Sequence, residues 1–220
     1  MVVGYQTVDV TTGFNMITPS FTGVGQTSYD LQEIKLSGEG VLGEGAENIQ
    51  VVDSDGNISA TYMWISKDIS GAEEDGWCDD SFSLVDVSLI QGQSVLLYTE
   101  GDGVATVSGE VATSNTKTYT VTANLGFNPV GNATPVDVDI QNIKLSGDGI
   151  LGEGAENIQI VDSDGNISAT YMWISKDISG AEEDGWCDDS FSLVDYTIKA
   201  GMGFLLYTEG EGAVTLPTAL

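Results

Sequence analysis

The stretch IQVVDSDGNISATYMW, residues 49–64, decides the fold, because two β-rich runs flank a turn and the whole pattern returns as IQIVDSDGNISATYMW at residues 158–173. The match extends further in both directions. Residues 34–86 and 143–195 differ at only three of 53 positions. A period of 109 residues is too long for a solenoid unit and fits a whole domain. The sequence therefore predicts two tandem domains of the same fold.

The pattern within each repeat is typical of β-strands. Short runs rich in Val, Ile, Thr and Tyr alternate with clusters of Gly, Asp, Asn and Ser. The predicted strands of the first repeat lie near 3–10, 13–18, 31–36, 48–53, 58–66, 82–87, 94–99 and 103–108. Those of the second lie near 117–123, 126–131, 140–145, 157–162, 167–175, 191–196, 203–208 and 212–217. We expect an all-β chain of two tandem, near-identical β-sandwich or small β-barrel domains, copy 1 at 1–111 and copy 2 at 112–220.

The charge is strongly acidic and restricts the function. Six basic residues oppose 34 carboxylates, which gives a net charge of −28, and the chain has no histidine. Nucleic-acid binding needs basic residues that displace counterions, so we expect no nucleic-acid partner. Anionic membrane surfaces are disfavoured for the same reason. The sequence has no apolar run of membrane-spanning length, and the first residues lack the basic start of a signal peptide, so we expect neither a membrane anchor nor a signal peptide.

The repeated DSDGN segment resembles a calcium loop at first sight. Its candidate ligands are Asp53, Asp55 and Asn57, with Asp162, Asp164 and Asn166 in copy 2. The spacing fits the first three ligand positions of an EF-hand, but Ile58 stands where that loop needs glycine and Trp64 where it needs glutamate. Asp55-Gly56 between two β-rich runs instead predicts a hairpin turn in which both residues take positive φ. We therefore expect no cofactor, with calcium as the alternative at these weak candidates.

A second acidic segment, EEDGWCDD at 73–80, recurs unchanged at 182–189. We interpret it as a solvated loop, with a divalent-cation site as the alternative. The tryptophans Trp77 and Trp186, with Trp64 and Trp173, either anchor the loop to the core or form a sugar-binding platform. Cys78 and Cys187 occupy the same position in the two copies, so neither copy can form an internal disulfide, and free thiols are expected.

Catalysis has little support in the sequence. Without histidine, the Ser-His and Cys-His relays are absent. The glycine-rich stretch 38–45 carries acids and no lysine, so it would repel a phosphate and is interpreted as turns and bulges between strands. We expect no enzyme, and hence no catalytic residue; a carboxylate-based hydrolase is the weakest alternative.

Each copy opens with a Gly-Phe-Asn segment, Gly13-Phe14-Asn15 and Gly126-Phe127-Asn128, and closes with a glycine-led apolar strand, residues 92–98 and 201–207. This plan resembles the short β-repeat domains of bacterial surface proteins and of tailed-phage virion proteins. The resemblance covers both copies and implies no functional residue. The second copy departs from the plan by ending VTLP at 214–217, where the first copy ends VSGEV.

We therefore expect a non-catalytic structural protein on a virion surface, a capsid decoration or head-fibre subunit whose partner is a capsid protein or another copy of itself. The alternative is a secreted or cell-surface tandem that binds glycans. Assembly needs an available surface, and two nearly uncharged segments, Met1–Val10 and Gly212–Leu216, are predicted to be edges that add to a partner's sheet.

Overall fold

The computed structural model describes residues 3–21, 28–110 and 118–217. The chain is nearly all β, with 54% of residues in strands and 7% in helices, so the predicted all-β class is confirmed. The small antiparallel sheets are arranged like the blades of a four-bladed propeller. Among the described residues no helix is long and apolar enough to cross a membrane.

The strands follow the duplication. Copy 1 contains β1 (Val3–Val10), β2 (Gly13–Ile17), β3 (Ser28–Asp30), β4 (Ile34–Ser37), β5 (Glu44–Val52), β6 (Ile58–Ile65), β7 (Gly76–Cys78), β8 (Ser88–Ile90), β9 (Val95–Thr99) and β10 (Gly103–Glu110). Copy 2 contains β11 (Thr118–Ala123), β12 (Gly126–Gly131), β13 (Val138–Asp139), β14 (Lys144–Ser146), β15 (Glu153–Val161), β16 (Ile167–Ile174), β17 (Gly185–Cys187), β18 (Thr197–Ile198), β19 (Gly203–Thr208) and β20 (Gly212–Pro217). Two short helices, α1 (Lys67–Ser70) and α2 (Lys176–Ser179), and two 3-10 turns, Leu31–Glu33 and Ile140–Asn142, complete the fold.

Each copy repeats the same three sheets. In copy 1 a five-stranded sheet has the order β2-β9-β5-β6-β7, a three-stranded sheet has the order β1-β10-β4, and β3 pairs with β8. Copy 2 has β12-β19-β15-β16-β17, β11-β20-β14 and β13-β18. All the strand pairs are antiparallel.

The β5–β6 hairpin forms where the sequence predicts it, with a different turn. The Gly56 N–H donates to the Asp53 carbonyl at 3.0 Å, and only Gly56 takes positive φ, at 81°. The prediction of positive φ at Asp55 is wrong, because a type I turn followed by one left-handed glycine closes this longer loop. The predicted bulge after the glycine-rich stretch is present as a register shift between Glu44 and Asn48.

Two hydrophobic clusters form the interior, and each draws its residues from one copy. Trp77 and Trp186 are fully buried at corresponding places in them. The Trp77 Nε1–H donates to the Ile34 carbonyl at 2.8 Å, and Trp186 makes the same bond to Ile143. Each buried indole thus has a partner for its polar atom, as a tryptophan in a core requires.

Several predicted strands are wrong in detail. The strand expected at 31–36 is interrupted by the 3-10 turn Leu31–Glu33, because the Asp30 carboxylate caps it by accepting the Gln32 N–H at 2.9 Å. The strand expected at 82–87 is a loop that touches β7 through one bridge, between Cys78 and Leu84. The same differences occur in copy 2, at 140–145 and 191–196.

Candidate interaction surfaces

The weak calcium candidates are the turns of the two long hairpins. The Asp53 Oδ1 accepts the backbone N–H groups of Asp55 at 3.0 Å and Asn57 at 2.9 Å. In copy 2 the carboxylate of Asp162 does the same for Asp164 and Asn166. These carboxylates therefore close turns. Within the part of the chain that the structure describes, no group of three or more Cys, Asp or Glu side chains is placed to hold a metal ion. The lack of bound calcium remains a prediction.

Each turn instead contacts the other copy. The Phe127 N–H donates to the Ser54 carbonyl at 2.7 Å, and the Phe14 N–H donates to the Ser163 carbonyl at 2.8 Å. The Phe127 ring lies against Gly56 so closely that a Cβ there would come within 2.8 Å of Phe127 Cδ2. Gly165 meets the Phe14 ring in the same way. The Gly-Phe-Asn segment and the hairpin turn of each copy thus form one reciprocal contact, related by an approximate twofold axis.

The asparagine of that segment holds the Phe-bearing strand in place. The Asn15 Nδ2 donates to the Thr11 carbonyl at 2.8 Å, while its Oδ1 accepts the Thr11 N–H at 3.0 Å. Asn128 makes the corresponding pair of bonds with Asn124, both at 2.8 Å. The resemblance noted in the sequence rests partly on this Gly-Phe-Asn segment, which in this fold makes the contact between the copies.

The reciprocal contact also covers two sheet edges. Strand β2 ends one five-stranded sheet, and next to it the Thr18 N–H donates to the Gly201 carbonyl of copy 2 at 2.8 Å. Strand β12 ends the other, and its Gly131 N–H donates to the Gly92 carbonyl of copy 1 at 3.0 Å. Unpaired edges invite association with other chains, so these two are protected by the neighbouring copy.

Two clefts lie beside the contact, at corresponding places. One, of about 280 Å³, is lined by Phe14, Ser163, Asp9 and Lys199 among others. The other, of about 240 Å³, is lined by Phe127 and Ser54, with Thr122 and Ile90 in place of the charged pair.

Only the first cleft therefore carries charge, and its lysine is already paired. The Lys199 Nζ donates to the Asp137 Oδ2 at 2.8 Å, and the Ala200 N–H donates to the Oδ1 at 3.0 Å. These two hydrogen bonds hold the pKa of the Asp137 carboxyl below its usual range.

The glycine-rich stretch does form an anion cradle, but the chain fills it. Glu47 is fully buried, and its carboxylate accepts the N–H groups of Leu42 at 3.1 Å and Gly43 at 3.2 Å. Glu156 makes the same bonds in copy 2, to Leu151 and Gly152. Nothing in the sequence pattern distinguishes these two buried carboxylates from the other 32.

All four tryptophans are buried, so the sugar-platform interpretation is wrong. Trp64 and Trp173 are 3% and 4% exposed, and each packs against the fully buried tryptophan of its copy at about 5 Å between ring centroids. The Lys35 Nζ lies 6.0 Å from the centroid of the Trp64 ring and pairs with Glu74 at 3.2 Å.

Only the two ends of the acidic segment 73–80 form loops, and its middle is a strand. Glu73, Glu74 and Asp75 are exposed, but the next three residues form the fully buried strand β7. The loop interpretation is therefore wrong for Gly76–Cys78, whose apolar side chains belong to the core. The Asp75 Oδ1 accepts the Lys67 N–H at the start of α1 at 2.9 Å.

Both cysteines are free and fully buried. Burial, together with the neighbouring carboxylate of Asp79, raises the pKa of the Cys78 thiol, and burial with Asp188 raises that of Cys187. Neither thiol is therefore activated as a nucleophile.

Two long strands keep a free edge. Strand β7 pairs with only the last three residues of β6, from Met63 to Ile65. Among the described residues nothing pairs with the outer side of Ile58–Tyr62, and Ile167–Tyr171 of β16 is free in the same way. Of the two edges predicted from the sequence, β1 does lie at a sheet edge. The prediction for Gly212–Leu216 is wrong, because β20 is the central strand between β11 and β14.

Comparison with known proteins found no relative of this chain. No protein family matches the sequence, and neither a curated protein nor a solved structure matches it.

Proposed function

We propose that this chain is a non-catalytic structural protein, a virion-surface subunit of the capsid-decoration or head-fibre kind. One observation carries the proposal: the chain presents the same surface twice. The two copies are related by an approximate twofold axis, through the contact of Ser54 with Phe127 and that of Ser163 with Phe14. Residues 34–86 of copy 1 recur in copy 2 with three conservative differences, of which Glu39 against Asp148 is exposed and keeps its charge. A repeated surface serves a particle that offers repeated binding sites, because two linked contacts bind much more tightly than one.

The polar groups support a structural role. The buried carboxylates of Glu47 and Glu156 are bonded to backbone N–H groups, and the Asp53 carboxylate closes a turn. The two thiols are buried with raised pKa values, so neither is poised for attack. An acidic exterior keeps closely arrayed subunits soluble and away from packaged nucleic acid.

We also propose that residues 1–111 and 112–220 are two near-identical domains, each a β-sandwich or a small β-barrel. Support comes from the two hydrophobic clusters, each of which draws on one copy, and from the five- and three-stranded sheets that each copy contributes. The expected boundary between residues 111 and 112 lies outside the described residues.

Immunogold electron microscopy tests the virion assignment. Antibodies raised against the purified chain are applied to a culture of the source organism, and to particles purified from it. Regular labelling of particle surfaces is the expected result. Labelling confined to cell envelopes, together with saturable binding of the chain on a glycan array, would replace the proposal with the cell-surface glycan-binding alternative.

A further inference from the structure

The two free edges differ from the sheet edges that lie at the contact between the copies. Strands β2 and β12 are covered by the opposite copy, and β1 and β11 lie beside it, since Val8 and Val121 each line one of the clefts between the copies. Among the described residues, nothing of the other copy pairs with the free part of β6, residues 58–62. The whole strand, ISATYMWI, carries no charge in a chain of net charge −28. Proteins normally blunt a free edge with charge, proline or a bulge. This edge has neither charge nor proline, and its register shift, between residues 58 and 60, leaves residues 60–62 in regular pairing with β5.

We propose that the free edges of β6 and β16 each bind an extended, lysine- or arginine-bearing segment of a partner protein, which adds to the sheet as a further strand. This inference rests on the proposed function, because it names the chemistry of the partner that these duplicated surfaces would hold. Backbone hydrogen bonds to the free edge would supply affinity, and side chains of the added strand would supply specificity.

The charge around the edge selects a basic partner. Asp53 and Asp55 lie in the turn where the free segment begins, and Asp79 and Asp80 follow β7 where the free segment ends. Five residues of strand span about 17 Å. A partner with basic residues at either end of a short uncharged β-forming run would match this spacing.

A second copy of the chain is the weaker occupant. Antiparallel pairing of two β6 edges about Ala60 would bring the Asp53–Asn57 turn of one chain towards the Asp79–Asp80 loop of the other. Carboxylates would then face carboxylates, in addition to the repulsion between two chains of charge −28. Charge complementarity therefore favours a basic segment.

An exposed phenylalanine supports the location. Phe82 has a φ of 59°, which is rare for a bulky residue, yet its side chain is 48% exposed. The loop that carries it is held by Asp79, whose Oδ1 accepts the N–H groups of Ser81 at 2.9 Å and Ser83 at 3.0 Å. Phe191 repeats the arrangement in copy 2, with φ of 60° and 47% exposure.

Backbone conformations of this kind are concentrated at ligand clamps and other functional sites. The loop leaves β7 immediately after Cys78, the partner of Met63, at the boundary of the free edge. An apolar side chain of the added strand would contact the Phe82 ring at this end of the free edge.

A fluorescein-labelled peptide, Lys-Val-Thr-Val-Thr-Val-Lys, tests the proposal on the full chain by fluorescence anisotropy at about 50 mM salt, where charge interactions extend over about 14 Å. We expect saturable binding of two peptides per chain, with protection of the amides of 58–62 and 167–171 from hydrogen exchange. The doubly substituted chain Thr61→Lys, Thr170→Lys should bind at least about tenfold more weakly, because its new charges lie on the edge and repel the peptide.

The controls separate the edge from general electrostatics. Ser88→Lys with Thr197→Lys places the same two charges at exposed positions of β8 and β18, which pair with β3 and β13, and should leave binding unchanged. The peptide Lys-Gly-Ser-Gly-Ser-Gly-Lys has the same charge but little tendency to form a strand, and should bind weakly. Phe82→Gly with Phe191→Gly should weaken binding while the chain stays folded by circular dichroism.

Equal binding of both peptides, or binding unaffected by the Thr61 and Thr170 substitutions, would overturn the proposal. Thr61-dependent dimerisation in analytical ultracentrifugation, without peptide binding, would assign the edge to a second copy instead. The labelling of particles is an independent measurement, so failure of the peptide to bind leaves the virion assignment to be judged by that experiment.

Discussion

The backbone N–H of Phe127 donates a 2.7 Å hydrogen bond to the carbonyl of Ser54, and so ties the start of one copy to the hairpin turn of the other. Because the same bond recurs from Phe14 to Ser163, the two copies hold each other symmetrically. A motif that looks like a metal loop in the sequence thus serves as a contact between copies. Its fixed shape comes from the Asp53 carboxylate inside the turn.

Substitution of Gly56 by alanine should weaken this contact. The new Cβ would lie 2.8 Å from the Phe127 ring, so the ring must shift. We expect the free energy of unfolding to fall by about 2–4 kcal/mol, the sum of a left-handed alanine and an overpacked site. Urea denaturation measures the loss, and small-angle X-ray scattering should show a larger radius of gyration.

Gly71→Ala is the matched control. Gly71 has a φ of 74°, close to the 81° of Gly56, but a Cβ there would meet nothing within 4 Å. Gly71→Ala should lower the free energy of unfolding only by the cost of an alanine in the left-handed conformation, about 1–2 kcal/mol. Equal losses for the two variants would show that the Phe127 ring does not press on Gly56.

Replacement of Glu47 by glutamine should destabilise copy 1. The amide would present an N–H group to one of the two backbone N–H donors that the carboxylate now satisfies. A lost charged hydrogen bond with a donor left buried costs about 1.5–3 kcal/mol. Glu44→Gln, at an exposed position of the same strand, should change the free energy of unfolding by less than about 0.5 kcal/mol. A small effect at Glu47 would mean that water satisfies these donors instead.

What the sequence could predict is local. The hairpin at 53–57 follows from turn chemistry between two β-rich runs, and the duplication follows from identity. Strand β7 could not be predicted from the sequence. Its three apolar residues are too few to show a strand pattern, and the five carboxylates around them are typical of an exposed loop.

Strand order could not be predicted in the same way. The run Gly212–Leu216 looks like a free terminal strand, yet it lies in the centre of its sheet because β11 and β14 flank it. These neighbours are 95 and 71 residues away at Thr120 and Lys144, both of which pair with Thr215. Whether an edge is free depends on such distant pairings, so the free part of β6 becomes visible only in the fold.

Stability should fall in alkaline solution. Burial raises the pKa of the Tyr29 phenol far above its usual 10.0, and that of the Cys78 and Cys187 thiols above 9.0. In the unfolded chain these groups ionise at their ordinary pKa, while in the folded chain they stay neutral. This stabilisation is therefore fully present well below pH 9, and it is lost progressively as the pH rises above 9.0 and 10.0 towards the raised pKa values of the folded state.

Urea denaturation at several pH values between 7.5 and 11 measures how far the free energy of unfolding falls as the pH rises. Tyr29→Phe removes one of the ionising groups, so its stability should fall less steeply above pH 10.0 than that of the unaltered chain. Parallel declines for the two proteins would indicate that the Tyr29 phenol titrates normally in the folded state.

Calcium should not stabilise the chain specifically. The Asp53 Oδ1 is already engaged by two backbone N–H groups, which a bound cation would oppose. Any rise in the melting temperature on adding about 2 mM CaCl₂ should be matched by MgCl₂ at equal ionic strength, because both salts screen the acidic surface. It should also persist in Asp55→Ala. A calcium-specific rise of several degrees that Asp55→Ala abolishes would establish a site at this turn.

The last prediction concerns the strained loop. Phe82 holds a φ of 59° with its ring half exposed, so the fold bears a backbone cost and gains little burial in return. Phe82→Gly should relieve about 1–2 kcal/mol of strain and lose about 0.5–1 kcal/mol to the greater backbone freedom of the unfolded state. The net effect on the free energy of unfolding is a gain of up to about 1 kcal/mol. Phe82→Ala keeps the strain and removes the ring, so it should match the unaltered chain. If both variants lose the same stability, the ring packs against its own fold and is not held out for a partner.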